Sequence, residues 1–329
     1  MLIMRIDINM RSVLLIGLGD IGVGYDLEMP VHKYILSHAR AFSEHPKFEL
    51  IAGVDTCSNH RERFTNKYGA PSFSKAEDVF LALSPDLVVV ATPTDSHLKI
   101  VRDVLKFGRP KAILCEKPLA YSLTEAQQIY DLCNHNNCAL YVNYFRQAEP
   151  GVNEIQKRLK TNMIKGPIKG IVWYSKGLFN SGSHFIDLLC KLMGDARQIR
   201  IIEPGRLWKG IDPEPDVEIG FERGRVLLIA ADAQNFFHNS VELIASNGIL
   251  RFADGGTCIS WQQKDEDLHI NGNIKLSSYV ETIPTDFERA QFNVVEELST
   301  AMDGHTAQIS TGFQAIRTQE ILESIKERL

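Results

Sequence analysis

A lysine placed directly after an apolar strand is the first residue of this sequence with a clear chemical use. The stretch ILCEKPLA, residues 113–120, begins with three apolar residues and continues with Glu116, Lys117 and Pro118, without a turn residue between them. A partly desolvated lysine, held on a turn that proline fixes, could exchange a proton with a substrate hydroxyl. An ordinary lysine paired with Glu116 in a strand-to-helix loop explains the same residues equally well, and both interpretations stay open.

A histidine and an aspartate form a second candidate pair. The segment SGSHFIDLLCKLMG, residues 181–194, predicts a helix that ends at a glycine. His184 and Asp187 are three residues apart and therefore share one face of this helix with Leu188. A buried histidine hydrogen-bonded to its neighbouring aspartate explains the pair, and from the residues alone this interpretation is slightly favoured.

A glycine motif, GLGDIG, follows the first predicted strand. In a nucleotide-binding turn Gly17 would allow the tight bend, Gly19 would let the backbone approach a pyrophosphate, and Gly22 would let helix and strand pack closely. The helix N-terminus that follows would favour the phosphates, so Asp20 and Ile21 also belong to the predicted cofactor contacts. A plain strand-to-helix turn is the alternative.

An acidic residue ends the next predicted strand. Asp55 closes FELIAGVD, where a carboxylate can accept hydrogen bonds from a ribose 2′-OH and would repel a 2′-phosphate. This favours NAD over NADP, and a helix cap is the alternative role. Between the two features, residues 23–34 contain Pro30 and read as an insertion that delays or breaks the first helix and reaches over the site.

These residues need a scaffold, and the first half of the chain predicts alternating strands and helices. The predicted strands are 12–19, 48–55, 87–93, 112–118 and 139–145. The predicted helices are 33–45, 58–68, 75–83, 95–108 and 122–136, and Ser122 with Glu125 makes a capping box for the last of them. Apolar strands separated by amphipathic helices indicate a doubly wound parallel sheet of Rossmann type.

Position in this sheet selects the residues that would face a ligand. Ligands of an open α/β sheet lie beyond the carboxyl ends of its strands. The third and fourth predicted strands end in ATPTDSH and CEKPLA. The residues that we therefore predict to contact the cofactor are Thr92, Pro93, Thr94, His97, Glu116 and Lys117.

The pattern changes after Pro150. A predicted helix (152–161), a strand (169–177) and the helix 181–194 are followed by alternating strands at 197–204, 216–222, 225–231, 240–246 and 248–254, and then by helices at 286–302 and 311–329. Gly, Asp and Asn between the strands predict a mostly antiparallel sheet. We expect a dinucleotide-binding domain over 1–146 and a substrate-binding and oligomerisation domain over 147–329.

Composition excludes some partners. The 329 residues carry a net charge of −5, so the chain has no excess of positive charge that would favour binding to nucleic acid or to a membrane surface. No apolar run is long enough to cross a bilayer, and the six scattered cysteines suggest reduced thiols of a cytoplasmic protein. Cys133, His135 and Cys138 are the nearest approach to a metal pattern, but a polar turn explains them better, so we expect no metal.

Five segments in this order resemble a known family: GLGDIG, GVD, VVVATPTDSH, CEKPLA and NSGSHFIDLL. The sequence is similar over nearly its whole length to the glucose–fructose oxidoreductase and inositol dehydrogenase-like (Gfo/Idh/MocA) family of NAD(P)-dependent sugar oxidoreductases. The Glu-Lys-Pro element is the most specific mark. The resemblance implies a Rossmann domain followed by an α/β domain whose large, mostly antiparallel sheet has an open face that often forms subunit contacts, hence a homodimer or homotetramer.

The resemblance also implies roles for individual residues. The lysine of the family's Glu-Lys-Pro element falls on Lys117, beside substrate and nicotinamide. NSGSHFID looks like the family's Asp-x-Gly-x-His-x-x-Asp element, so His184 and Asp187 carry over, but Asn180 stands at the leading aspartate position. An amide can hold a hydroxyl but cannot accept a proton. Two further residues that could line the substrate site are Tyr144 and Arg146.

The resulting hypothesis is an oxidoreductase that transfers hydride between NAD and a hydroxyl-bearing carbon of a sugar, cyclitol or nucleotide sugar. Lys117 and His184 would share proton transfer in one pocket beside the dinucleotide, and Asn180 would orient the substrate. One alternative is a glycosidase or lyase that retains NAD and uses transient oxidation. The other is a non-catalytic regulator that senses the cofactor or a sugar.

Overall fold

The computed structural model describes residues 10–270 and 272–329. These residues form two compact units: one contains the chain up to Phe145 together with Glu288–Phe313, and the other contains Arg146–Phe287 and Gln314–Leu329. The segment 288–313 thus groups with the first unit, whereas our expectation for the domains divides the chain once, between 146 and 147.

Sixteen strands and nine α-helices are present in the described part of the chain. Up to residue 145 they are β1 (Arg11–Ile16), α1 (His38–Glu44), β2 (Phe48–Val54), α2 (Ser58–Tyr68), β3 (Ser72–Phe73), α3 (Ala76–Phe80), β4 (Leu87–Val90), α4 (His97–Phe107), β5 (Ala112–Cys115), α5 (Leu123–His135) and β6 (Ala139–Val142). Then follow α6 (Pro150–Lys160), β7 (Ile168–Tyr174), α7 (Ser183–Met193), β8 (Ala196–Trp208), β9 (Asp212–Phe221), β10 (Gly224–Ala230), β11 (Ser240–Ala245), β12 (Gly248–Ala253), β13 (Cys258–Ile270), β14 (Asn273–Leu276), β15 (Glu281–Ile283), α8 (Ala290–Met302), β16 (Ser310–Thr311) and α9 (Gly312–Lys326).

The first unit contains a seven-stranded sheet in the order β16-β6-β5-β4-β1-β2-β3. All pairs are parallel except β16 with β6. The four residues of β4 have no exposed surface, as expected where helices cover both faces of a parallel sheet. The predicted Rossmann architecture is confirmed. The two-residue edge strands β3 and β16 are additions that periodicity cannot reveal.

The first helix differs from the prediction over 33–45. Residues 20–24 form one turn of π-helix, and α1 begins only at His38, where Ser37 caps it. Between them, the buried Asp26 carboxylate accepts the N–H of Leu36 at 2.6 Å, and the buried Arg40 guanidinium donates to the carbonyl of Met29 at 2.9 Å. The insertion therefore breaks the helix, as expected, and these polar contacts fix the conformation of the inserted segment.

The second unit contains a nine-stranded sheet in the order β14-β13-β12-β11-β7-β10-β9-β8, with β15 paired to β13. Among the strand pairs described for this sheet, only β7 and β10 are parallel, so the predicted mostly antiparallel sheet is confirmed. The predicted strands lie in it, and β13, β14 and β15 are additional. Along β7, Val172 and Tyr174 are buried in the core, while Ile171 and Trp173 on the other face are each 39% exposed.

The candidate metal pattern forms no metal site. Cys133 and Cys138 are buried and His135 is exposed, with Nδ1 at 2.6 Å from the carbonyl of Asp131. Within residues 10–270 and 272–329, no group of three or more His, Cys, Asp or Glu side chains could hold a metal ion. In the same residues, no helix combines the length and the apolar character that crossing a membrane requires.

Candidate cofactor and substrate sites

The glycine turn after β1 is shaped by contacts that exclude side chains. Gly17 has φ +99°, and a Cβ on it would lie 2.4 Å from the carbonyl oxygen of Ala91. A Cβ on Gly22 would lie 2.1 Å from the carbonyl oxygen of Gly17. At Gly19, by contrast, a Cβ would have no described atom within 4 Å. The backbone at Gly19 therefore borders open space, as a phosphate-binding turn requires.

Asp55 follows β2 and is held by several donors. Its Oδ2 accepts the N–H of Leu18 at 2.8 Å, its Oδ1 accepts the N–H of Cys57 at 2.8 Å, and His60 Nδ1 lies 3.1 Å from Oδ2. Burial opposes ionisation of Asp55, but these hydrogen bonds outweigh it and lower the pKa of the carboxyl. An ionised acid thus stands one residue beyond the strand, where sequence analysis places the ribose acceptor.

A cavity of about 800 Å³ in the first unit joins these two features. Its volume lies within the usual range of ligand pockets. The predicted residues in its lining are Gly17, Gly19, Asp55, Thr92 and Pro93, and the lining residues that sequence analysis missed include His60, Thr56, Cys57, Lys75, Glu77, Lys99 and Ile100. His60 could have been suspected because it lies in the first turn of the helix that follows Asp55.

Other predicted cofactor contacts lie in different surroundings. His97 is fully buried, with Nε2 at 2.9 Å from the carbonyl of Thr92 and Nδ1 at 3.1 Å from that of Leu119. Burial lowers the pKa of His97 and favours its neutral form. His97 therefore connects the two loops that follow β4 and β5. Thr94 begins the short 3₁₀ turn before α4, and Asp20 and Ile21 lie in the π-turn after Gly19.

The Glu-Lys-Pro element sits on a buried polar cluster. Glu116 is 8% exposed, and its Oε1 lies 2.7 Å from His38 Nε2 and accepts from Asn143 Nδ2 at 2.5 Å. Lys117 is partly buried, its backbone N–H donates to Glu116 Oε2 at 3.3 Å, and its bond to Pro118 is cis. Glu116 thus contacts His38 of α1 and Asn143 after β6 in addition to its neighbour Lys117, and sequence analysis did not find His38 or Asn143.

In the second unit, His184 and Asp187 lie on α7, as predicted. Asp187 is 1% exposed and accepts from Gln147 Nε2 at 2.7 Å, whereas His184 is only partly buried. Arg146 is 7% exposed, donates to the carbonyl of Gly255 at 2.7 Å and lies over the Phe185 ring at 4.7 Å. Burial lowers the pKa of Arg146 to about 10. Of these predicted substrate contacts, His184 has the most accessible surroundings.

Asn180 lies in a π-turn, Leu178–Gly182, that leads into α7. Its exposed side chain donates to the carbonyl of Lys176 at 2.9 Å. A buried acid that sequence analysis missed supports this turn: Asp212, at the start of β9, accepts the N–H groups of Phe179 at 3.0 Å and Asn180 at 2.9 Å. Asp212 thus fixes the backbone at the position where the family's aspartate is replaced. Tyr144, in the first unit, is 2% exposed.

Comparison with known proteins agrees with this geometry. The family model described as an oxidoreductase family with an NAD-binding Rossmann fold, Gfo/Idh/MocA, matches residues 12–144. The rhizopine catabolism protein MocA of Rhizobium meliloti is 28% identical over 127 residues, 39% of this chain and 39% of that protein. Residues 12–144 of the chain thus match the Gfo/Idh/MocA family. The resemblance stated from the sequence is confirmed for this part of the chain, and the match supports a pyridine nucleotide as cofactor.

Two further comparisons show how much of the chain is similar to known proteins. The inositol 2-dehydrogenase of Rhizobium meliloti (strain 1021) is 26% identical over 127 residues, 39% of this chain and 38% of that protein. The chain thus matches less than half the length of either curated relative. The WlbA dehydrogenase of Bordetella pertussis, solved in complex with NADH and UDP-GlcNAcA, superposes with a TM-score of 0.74 over 97% of this chain and 95% of that chain. The sequence identity is 15%, so this superposition shows a shared fold alone.

Proposed function

We propose that this protein is an NAD-dependent oxidoreductase that acts on a hydroxyl-bearing carbon of a sugar, a cyclitol or a nucleotide sugar. The cavity beside the glycine turn carries the proposal, because a side-chain-free backbone and an ionised acid both border it. The residues present fit a dinucleotide. Open space at Gly19 could hold a phosphate, and Asp55 Oδ1, which accepts the N–H of Cys57, could accept a ribose hydroxyl as well.

The choice of NAD over NADP rests on Asp55. Its lowered pKa keeps the carboxylate charged at neutral pH, so it can accept a ribose hydroxyl and would repel a 2′-phosphate. His60 offsets part of this charge from 3.1 Å away. Gly17 and Gly19 would hold the pyrophosphate, and Thr92 and Pro93 would line the remainder of the cofactor site.

The chemistry divides between cofactor and chain. The nicotinamide, when bound, accepts or supplies a hydride. Lys117 is our candidate for taking the hydroxyl proton, with His184 as the second candidate. Asn180 would orient a hydroxyl because an amide cannot take up its proton. We also propose Arg146, Tyr144 and Asp187 as substrate-site residues. Because all three are buried, they are suited to supporting the wall of a site.

The test measures NADH formation across a panel of polyols, sugar phosphates and nucleotide sugars, with Lys117→Ala as the variant. Removing a general base typically lowers turnover by about 10²–10⁴-fold. Lys111→Ala is the matched control, because Lys111 immediately precedes β5 and forms an exposed ion pair with Asp86 at 2.8 Å. Unchanged turnover in Lys117→Ala would remove this lysine from the mechanism.

Product analysis within the same panel separates the alternative activities. Substrate cleavage without net NADH formation would support a glycosidase or lyase that retains NAD. Binding of NADH and a sugar without any product would support a sensor. Asn180 is the one departure from the family element, so Asn180→Asp is the variant most suited to show whether the usual proton acceptor raises turnover.

We further propose that a second copy of the chain covers the open face of the nine-stranded sheet. Ile171 and Trp173 of β7 point away from the core, and their register partners on β10, Leu227 and Ile229, lie on the same face. A contiguous apolar patch of this kind on a sheet is typical of a subunit interface.

A further inference from the structure

A cluster of four buried polar side chains in the first unit lies behind the catalytic candidate Lys117. His38 of α1 and Asn143, which follows β6, both contact Glu116 Oε1, at 2.7 and 2.5 Å. Gln291 of α8 accepts a second hydrogen bond from Asn143 Nδ2 at 3.2 Å. We call these residues the Glu116 cluster. None of its members is more than 8% exposed, so the cluster belongs to the buried interior of the fold.

Hydrogen bonding defines the charge of the cluster. Because an ionised carboxylate can only accept, His38 Nε2 donates to Glu116. His38 Nδ1 is buried and has no hydrogen-bond partner among the described residues. Burial opposes ionisation of Glu116, but the bonds from His38 and Asn143 outweigh it and lower the pKa of the carboxyl.

The cluster thus contains an ionised carboxylate, and the neighbours of Glu116 show where that charge acts. Burial, reinforced by Glu116, raises the pKa values of Tyr25 and Cys115, so both are uncharged at neutral pH. Burial lowers the pKa of His97 despite Glu116, which leaves that ring neutral as well. Lys117, by contrast, is a cation that favours the ionised form of Glu116. The Glu116 charge therefore acts on Lys117 as well as on His38.

We propose that His38 and Asn143 are positioning residues that act on Lys117 through the Glu116 carboxylate. Two donors hold Oε1, so Oε2 stays on the side of the Lys117 backbone, where it accepts the N–H of that residue. A fixed anion beside an ammonium favours its protonated form. The cluster would thereby set the pH at which Lys117 becomes a base. This inference rests on the proposed function only for its effect on turnover.

The primary experiment needs no substrate. Acetic anhydride labels neutral amines, so the labelling rate of Lys117, read by peptide mass spectrometry over a pH series, gives a midpoint for its titration. Glu116→Gln removes the charge and should move the midpoint to lower pH by about one unit. His38→Ala should change the midpoint by about half a unit or more, and His38→Gln, whose amide N–H can stand near the Nε2 position, should restore it.

The chain offers a matched control at the other end of the same helix. His45, which caps α1, is also buried, and its Nε2 lies 3.1 Å from Glu296 Oε2. His45→Ala therefore removes a second His–Glu pair from the same unit, one in which the histidine is buried and Glu296 is exposed. It should lower the melting temperature while leaving the Lys117 midpoint unchanged. Equal midpoint shifts in the two alanine variants, or no shift in Glu116→Gln, would overturn the proposal, as would failure of His38→Gln to restore the midpoint.

Turnover supplies the second measurement. On a substrate found in the panel, His38→Ala should lower kcat by about tenfold, and in the Glu116→Gln background the same substitution should change kcat by less than about twofold, because residues that act as a unit are not additive. Equal losses in both backgrounds would assign His38 to stability alone. A wild-type protein without turnover but with the expected midpoint shifts would reject the proposed function and keep this inference.

Discussion

At the residue scale, Asp55 illustrates how position and hydrogen bonding together define a role. The sequence places an acid after the second predicted strand, which is enough to favour NAD. The structure adds three donors, from Leu18, Cys57 and His60, that keep the acid ionised. His60 is only five residues from Asp55 and could have been suspected from the sequence. His38 escaped sequence analysis because it is 78 residues from its partner Glu116, and no periodicity reports such a pair.

Asp55→Asn should shift cofactor preference. The amide keeps an acceptor but no longer repels a 2′-phosphate, so the ratio of NADPH to NADH dissociation constants should fall by about tenfold, a change of about 1.4 kcal/mol. Fluorescence titration with both cofactors measures it. Thr65→Ala on the same helix α2, whose hydroxyl donates to Ser72 at 3.0 Å outside the cavity lining, is the control. An unchanged ratio would contradict the assigned role.

At the scale of elements, the hydrophobic pattern of the sequence predicted the long strands and helices well. Buried β4 and β5 and amphipathic α4 lie where the pattern puts them. The pattern failed at α1, where Pro30 and the Asp26–Arg40 contacts replace a helical turn, and at the two-residue strands β3 and β16. Pairing at a sheet edge needs only a few backbone hydrogen bonds, which leave no signature in side-chain alternation.

The glycine turn gives a prediction at this scale that separates folding from binding. Gly19→Ala should leave the melting temperature nearly unchanged, because Gly19 has φ −72° and its Cβ would meet open space. The methyl group would occupy the phosphate position and weaken NADH binding by about tenfold or more. Gly17→Ala should destabilise the protein by about 1–3 kcal/mol, since φ is +99° and the Cβ collides with backbone.

Isothermal titration with NADH and thermal melting of both variants measure the two effects. Gly220→Ala in β9 is the control, because its Cβ would make an ordinary contact of 3.5 Å with Gln198. If Gly19→Ala bound NADH with wild-type affinity, the open space at Gly19 would not be the phosphate site.

At the scale of the whole molecule, the two units contribute different kinds of information. The first unit matches the Gfo/Idh/MocA family model and contains the cavity, so its fold and cofactor class follow from the sequence. The whole chain shares a fold with a solved structure at low identity. The residues that we propose for substrate binding in the second unit belong to segments such as 177–180, whose backbone is fixed by Asp212 and Glu214 of β9. The sequence therefore supports the proposed reaction class better than any particular substrate.

The open face of the second sheet provides the prediction for the assembly. If a second copy covers Trp173, whose neighbours Ile229 and Ile171 extend the same apolar face, Trp173→Glu would bury an unpaired charge at the interface and should convert the oligomer to monomers at micromolar concentration. Light scattering coupled to size-exclusion chromatography measures the mass. Leu81→Glu is the control, because Leu81 is 87% exposed in the first unit and should leave the mass unchanged. A monomeric wild type, or a Trp173→Glu variant that keeps the oligomer, would show that the apolar strand face serves another purpose than pairing two copies of the chain.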